Sequence, residues 1–237
     1  VYGIVHADRP VDGMTGLDAT PLRLVQHGGL AAVVNDIQVE RPPGRKADLM
    51  AYRRVLDDLA AVGPVIPVQF GSVMLDDDSV ALEVLDGRED WLFEMLVALR
   101  GRSQFHLQAS YHEDVALKEI VDANPLVARL RERTRALPED ASYADRVQLG
   151  ELVAHAMEEK RTLDIQALLE VVSPHVDDLR VTPRADAEGL ATIALLVDDA
   201  HTAELEDELE SLAEDVHERI RLGLVGPMAP YDFVDGA

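Results

Sequence analysis

The sequence predicts an α+β protein of two domains joined by a helical middle region, and three observations carry that reading. Short apolar runs alternate with helical periodicity over residues 1–115, helical spacing alone fills 116–176, and a strand–strand–helix–strand order occupies 177–225. A tail, 226–237, follows.

In the first region Tyr2 to His6 is a short apolar run ended by Asp8 and Pro10, the pattern of a first strand. Residues 11–20, with Gly13 and Gly16, read as a loop. Leu22–Gln26 and Leu30–Asn35 flank His27-Gly28-Gly29, a hairpin signal, because glycine reaches the positive φ of a tight turn. After the break at Pro42-Pro43-Gly44, Leu49, Tyr52, Val55, Leu56 and Leu59 recur on one face of a helix over 47–62, which Gly63-Pro64 stops. The stretch 64–74 is β-rich, but its prolines remove backbone donors and place it at a sheet edge. Two helical stretches, 76–85 and 90–99, precede a clear alternation. There Phe105, Leu107, Ala109 and Tyr111 share one face of a strand, and Gln104, His106, Gln108 and Ser110 share the other.

Asn124-Pro125 reads as an N-cap followed by proline at the first helical position. The helix it opens holds Arg129, Arg131, Arg133 and Arg135, which spread around the helix and suit pairing with the chain's own carboxylates. This helix is expected to bridge the two α+β regions. Residues 138–142 form a break, and 143–172 reads as one long helix ended by Pro174. The last region offers strands at 179–182 and 190–197, then a helix over 202–216 with Leu205, Leu209, Leu212 and Val216 as its apolar stripe. A strand alternating through Ile220, Leu222 and Leu224 closes it. That order suits a small antiparallel sheet covered by a helix, an incomplete ferredoxin-like unit.

Composition narrows the function. The formal charge of −23 in 237 residues argues against nucleic acid or an anionic membrane as partner, since phosphates need Lys and Arg opposite them. Such acidity keeps a protein dispersed. The absence of cysteine removes disulfides, thiolate metal sites and thiol nucleophiles, and suits a cytoplasmic protein. No apolar run approaches the roughly 20 residues of a membrane helix, and residues 1–5 lack the length and basic flank of a signal peptide. Aromatics are 4% of the chain, so the core must rest on Leu, Val, Ala and Ile.

Chemistry-bearing motifs are few. His112-Glu113 and His217-Glu218 are not followed by a second histidine at zinc-protease spacing. Asp76-Asp77-Asp78 lacks the Gly and distal Glu of a calcium loop and reads as a solvated helix start. Trp91, Leu92, Phe93, Leu96 and Leu99 sit at helical spacing as core. No nucleophile elbow, phosphate loop or dinucleotide fingerprint is present. No metal, cofactor or catalytic turnover is expected.

Five stretches, in order along nearly the whole chain, resemble the gas vesicle protein F/L family. They are YGIV at 2–5, GLAAVVNDI at 29–37, VIPVQFGSVM at 65–74, LRGRSQFHLQASYHED at 99–114 and GPMAPYDFV at 226–234. Met228 stands where many relatives carry Trp, and Gln69 where a basic residue is frequent. The resemblance implies two α+β domains, the C-terminal one a modified ferredoxin-like unit. It also implies a non-catalytic accessory or minor structural protein of gas vesicles in the cytoplasm. Its expected partners are the major hydrophobic shell protein and other gas vesicle proteins, and its expected role is to limit shell-protein aggregation before assembly. The alternative from another class is a small-molecule-sensing regulatory protein, because ferredoxin-like units often hold ligands between sheet and helices.

A binder of that kind could add a strand at an exposed edge. The two candidate edges are 65–74, with Phe70, and 104–111, with Phe105, Leu107 and Tyr111. The tail is expected to fold back on the body with Tyr231 and Phe233 as anchors. Gly226 would give a sharp exit from a strand ending at Val225, and Pro227 and Pro230 would keep the tail out of the sheet.

Overall fold

The computed structural model describes residues 1–38, 41–138, 140–184 and 188–234. One residue of the break read at 138–142, residue 139, and the last three of the tail, 235–237, lie outside the described residues. The architecture is mixed helix and sheet, with two four-stranded sheets.

The first sheet contains β1 (Gly3–His6), β2 (Arg23–His27), β3 (Leu30–Val34) and β4 (Ile66–Pro67), in the order β2-β3-β1-β4. Its hairpin turns at Gly28-Gly29, pairing Arg23 with Val34 and His27 with Leu30. β1 then pairs antiparallel with β3 and with β4. β4 is the edge strand expected from its prolines, but only two residues of 65–74 pair as strand. Helix α1 (Lys46–Val62) buries Tyr52, Val55, Leu56 and Leu59 as its spacing requires. The stripe begins one residue earlier than the pattern suggested: Asp48 is buried and Leu49 is 42% exposed. Asp48 earns that position at the helix start by accepting the backbone N–H groups of Gly44 and Arg45, 3.1 and 3.0 Å away. The short helix α2 (Asp77–Val80), a π turn over Ala81–Leu85 and helix α3 (Glu89–Ala98) complete this region.

The second sheet contains β5 (Arg102–Tyr111), β6 (Asp178–Pro183), β7 (Gly189–Asp198) and β8 (Ile220–Met228), in the order β6-β7-β5-β8. Numbered from β5, that is second, third, first, fourth, the ferredoxin-like order. The strand over 102–111, read with the N-terminal region, is therefore the missing first strand of the incomplete unit. The first crossover is the helical middle itself: α4 (Glu113–Ala123), α5 (Pro125–Ala136) and α6 (Tyr143–Val172), packed on one another. The second crossover is α7 (Thr202–Val216), which packs against α6. Asn124 caps α5 by accepting the N–H groups of Leu126 and Val127. The arginine-bearing helix α5 is thus part of a crossover, not a free-standing bridge; Arg133 pairs with Asp145 of α6 through 2.5 and 2.8 Å contacts.

Contacts divide the chain into two compact units. The first takes Val1–Phe105, Leu196–Ala200 and Val225–Ala237, and the second His106–Leu195 and His201–Leu224. This differs from cuts at 115, 176 and 225, because strand pairing is non-local and leaves no mark in local composition.

Candidate interaction site

The first unit is organised around two tyrosines. Tyr2 and Tyr52 stack at 5.9 Å with 19° between their rings, and Phe70 meets Tyr52 edge-on at 5.3 Å. Burial pushes both phenols up to about 12, so they act as neutral hydrogen-bonding groups. The Tyr2 hydroxyl donates to Asn35 at 2.9 Å and accepts the Leu17 N–H at 2.7 Å, while Tyr52 donates to the Val68 carbonyl. A Cβ at Gly16 would stand 2.1 Å from the Tyr2 hydroxyl oxygen, so glycine there makes room for the ring.

The segment 226–234 packs on the same core. Tyr231 lies 6.5 Å from Tyr52, Phe233 is 6% exposed, and Ala229 is fully buried among the α1 and β1 side chains. Two polar clasps hold it: Ala229 N–H donates to Asp57 at 3.0 Å, and Asp232 exchanges hydrogen bonds with Gln104. Gln104, assigned by alternation to a solvent face, is fully buried for this reason. The exit from the sheet differs from expectation. β8 continues through Gly226 and Pro227 to Met228, and the Gly226-Pro227 bond is cis. β8 is an edge strand, where a proline's missing N–H costs no ladder bond. At Gly226 a Cβ would lie 2.6 Å from the Phe105 ring, so the strand approaches Phe105 closely only because it carries glycine.

Beside the tyrosine stack lies a cleft of about 350 Å³. Its lining includes the buried Tyr2, Val34, Tyr52 and Val80, with the partly buried Phe70. Outward from these stand Val73 and Leu75, 49% and 97% exposed. Asp36, Asp76 and Asp77 also line it, against a single guanidinium, Arg23, which reaches both Asp36 and Asp77 at 2.8 Å. Asp76 caps α2; the backbone N–H of Ser79, then its hydroxyl, hold the carboxyl below its ordinary range.

The second unit has a polar centre instead. Asp164 of α6 accepts the Tyr111 hydroxyl at 2.7 Å and Arg219 at 2.6 Å, and Lys160 stands 3.2 Å away. Glu119 of α4 pairs with both Lys160 and Arg219. The Lys160 ammonium also sits 5.6 Å from the Tyr111 ring centroid. Burial would push the Asp164 carboxyl up, but donation from Tyr111 and Arg219, then the Lys160 charge, bring it below its ordinary value. Burial, then the Asp164 carboxylate, push the Tyr111 phenol upward and keep it a donor.

Among the described residues, His27, Asp86 and Glu89 bring donor atoms within 4.8 Å of one another, as a cation would require. Each is partly exposed, and the imidazole is already 3.1 Å from Glu89. The trio reads as a surface polar cluster at the start of α3, with His27 hydrogen-bonded to Glu89.

Of the residues singled out from sequence, Phe70 lines the cleft, Tyr231 packs on the first unit's core, and Phe233 is buried. Phe105, Leu107 and Tyr111 are core, at most 2% exposed, and β5 lies between β7 and β8. Strand addition along 104–111 is therefore excluded, because both edges of β5 are already paired. The cleft's outer residues were missed. Their signal was present as apolar Val73-Met74-Leu75 running directly into Asp76-Asp77-Asp78.

Comparisons with known proteins agree along the whole chain. A family model described as "Gas vesicle synthesis protein GvpL/GvpF" matches residues 1–235. "Gas vesicle protein F" of Streptomyces sp. (strain CB03234) is 34% identical, over 99% of this chain and 98% of that one. "Gas vesicle protein L1" of Halobacterium salinarum is 24% identical over 92% and 83%. The crystal structure of gas vesicle protein GvpF from Anabaena sp. PCC7120 superposes with a TM-score of 0.85 at 19% identity, covering 100% of this chain and 97% of that one. That from Microcystis aeruginosa gives 0.81 at 18%, over 99% and 97%. These two likenesses establish the fold; the family match and the Streptomyces relative establish that the chain belongs to the gas vesicle synthesis protein GvpL/GvpF family.

Proposed function

We propose that the chain is a non-catalytic accessory or minor structural protein of gas vesicles. It binds the hydrophobic shell protein and assists nucleation or assembly by keeping that protein from aggregating. The observation that carries this reading is the family match over residues 1–235. An apolar shell subunit exposes sheet edges and hydrophobic surface that associate in water. A binder with a formal charge of −23 keeps the complex dispersed through its own carboxylates. Other gas vesicle proteins are further partners, and the site of action is the cytoplasm and the growing vesicle. Among the described residues no helix is long and apolar enough to cross a membrane.

The test is retention of the major shell protein on the tagged full chain, together with immunodetection in purified vesicles and their precursors. Retention with a soluble complex of defined size is expected. Recovery only in soluble fractions without shell protein, under assembling conditions, would overturn the proposal.

A further inference from the structure

We infer that the cleft beside the Tyr2–Tyr52 stack is the docking site for a short apolar peptide segment carrying a basic residue, supplied by a partner protein. The inference rests on the proposed role in binding an apolar subunit and names the surface that does it.

Three observations lead there. The cleft holds about 350 Å³, near the low end of the roughly 300–1,000 Å³ typical of ligand pockets, which is room for a few side chains and not for a whole helix. Its apolar surface does not stop at the cavity. Leu75 is 97% exposed and Val73 49%, so hydrophobic area continues outward onto the lip. A small molecule seated inside would leave that area wet, whereas a chain lying across the lip would cover it. The lip is also acidic on balance. Asp36, Asp76 and Asp77 still outnumber Arg23 and the Val1 ammonium, which is turned to the Ser72 carbonyl, and the Ser79 cap holds Asp76 ionised. An apolar segment with a lysine or arginine beside it satisfies both features, and an acidic one is repelled. A second copy of this acidic chain would have to overcome like charge at the lip.

The cleft is also preformed. The stacked tyrosines are fixed by hydrogen bonds to Asn35, Leu17 and Val68, so a ligand would not have to order them.

The probe is a fluorescein-labelled peptide with an Ala-Leu-Ile core and a lysine at each end, titrated with the full chain and followed by anisotropy. A peptide with the same core and terminal glutamates is the control. Saturable binding of the lysine peptide is expected, at least tenfold tighter than the glutamate peptide and weaker as salt rises. The exposed-site variant Val73→Ser/Leu75→Ser should lose at least tenfold with its thermal midpoint unchanged. Asp36→Asn/Asp77→Asn should erase the preference for lysine. Equal binding of the two peptides, no saturable binding, or binding indifferent to Val73→Ser/Leu75→Ser overturns the inference. So does self-association that depends on Leu75, which would assign the surface to a second copy. The proposed role fails separately: shell protein retained equally by wild type and Val73→Ser/Leu75→Ser leaves the role standing without this site. Lysine-peptide binding without shell-protein retention leaves the site standing without the role.

Discussion

The two units solve the problem of closing a core in opposite ways. Eight of the ten aromatic side chains belong to the first unit, so its centre is a stack of rings sealed by the segment 226–234. The second unit has only Tyr111 and Tyr143, and Tyr143 is 69% exposed. Its aliphatic core instead abuts an ion cluster, in which Asp164 gathers a phenol, an ammonium and a guanidinium. The contrast shows how a chain with few aromatics spends them: large rings go where distant segments must be clamped, and charge pairs go where helices pack along their length. Apolar burial carries no titrating group and is not weakened by charge screening, whereas ionic closure depends on both.

The largest test of that contrast is Phe233→Ala. Truncating a buried phenylalanine costs about 3–5 kcal/mol, and the loss should register as a lower urea midpoint at every pH from 5 to about 8, set by apolar area alone. Gly16→Ala comes next. The added Cβ must displace the Tyr2 hydroxyl, and overpacking of this kind costs about 1–3 kcal/mol. A fall in thermal midpoint is expected, and an unchanged midpoint would show that the loop yields freely.

Asp164→Asn probes the second unit. Losing charge-assisted bonds there should cost about 1–2 kcal/mol at neutral pH. The folded carboxyl sits below its unfolded value, so its contribution is fully present above an unfolded pKa of about 3.9 and is lost as pH falls through the folded value. Wild type and variant should therefore converge in acid, as read by urea midpoints between pH 7 and about 3; a gap that persists there would assign the loss to packing. The smallest effect is expected from Arg133→Ala. Its pairing with Asp145 is bidentate, but the guanidinium is largely solvent-exposed, and such pairs contribute about 0–1 kcal/mol.

Much of this fold was legible locally. The helices over 143–172 and 202–216 were read to the residue because Pro174 and a clean apolar stripe delimit them. The Gly28-Gly29 hairpin was equally plain. Helix α4 falls mostly inside the helical middle read at 116–176, but its start is unmarked: it begins after His112, which makes no side-chain cap, so the usual Ser, Thr, Asp or Asn signal is absent. The place of β5 in the second sheet was not legible, because its partners β7 and β8 begin more than 75 residues later. Alternation named the buried face of β5 correctly but left Gln104 outside, since the segment that covers it comes from the far end of the sequence. The cleft escaped for the same reason. Its lining is drawn from residues 1–43 and 52–80, and no single short window contains it.

The clamp formed by residues 226–234 also sets an order of events during synthesis. Domains generally fold N-terminal first as the chain emerges at about 5–20 residues per second. Here the first unit's opening 105 residues cannot be completed by what immediately follows them, since their remaining pieces arrive at 196–200 and 225–234. For several seconds at those rates, the Tyr2–Tyr52 stack waits without the residues that seal it. A ribosome-bound nascent chain halted before residue 225 should expose the first unit to protease, and one carried on a C-terminal linker long enough to bring 226–234 out of the ribosome should not.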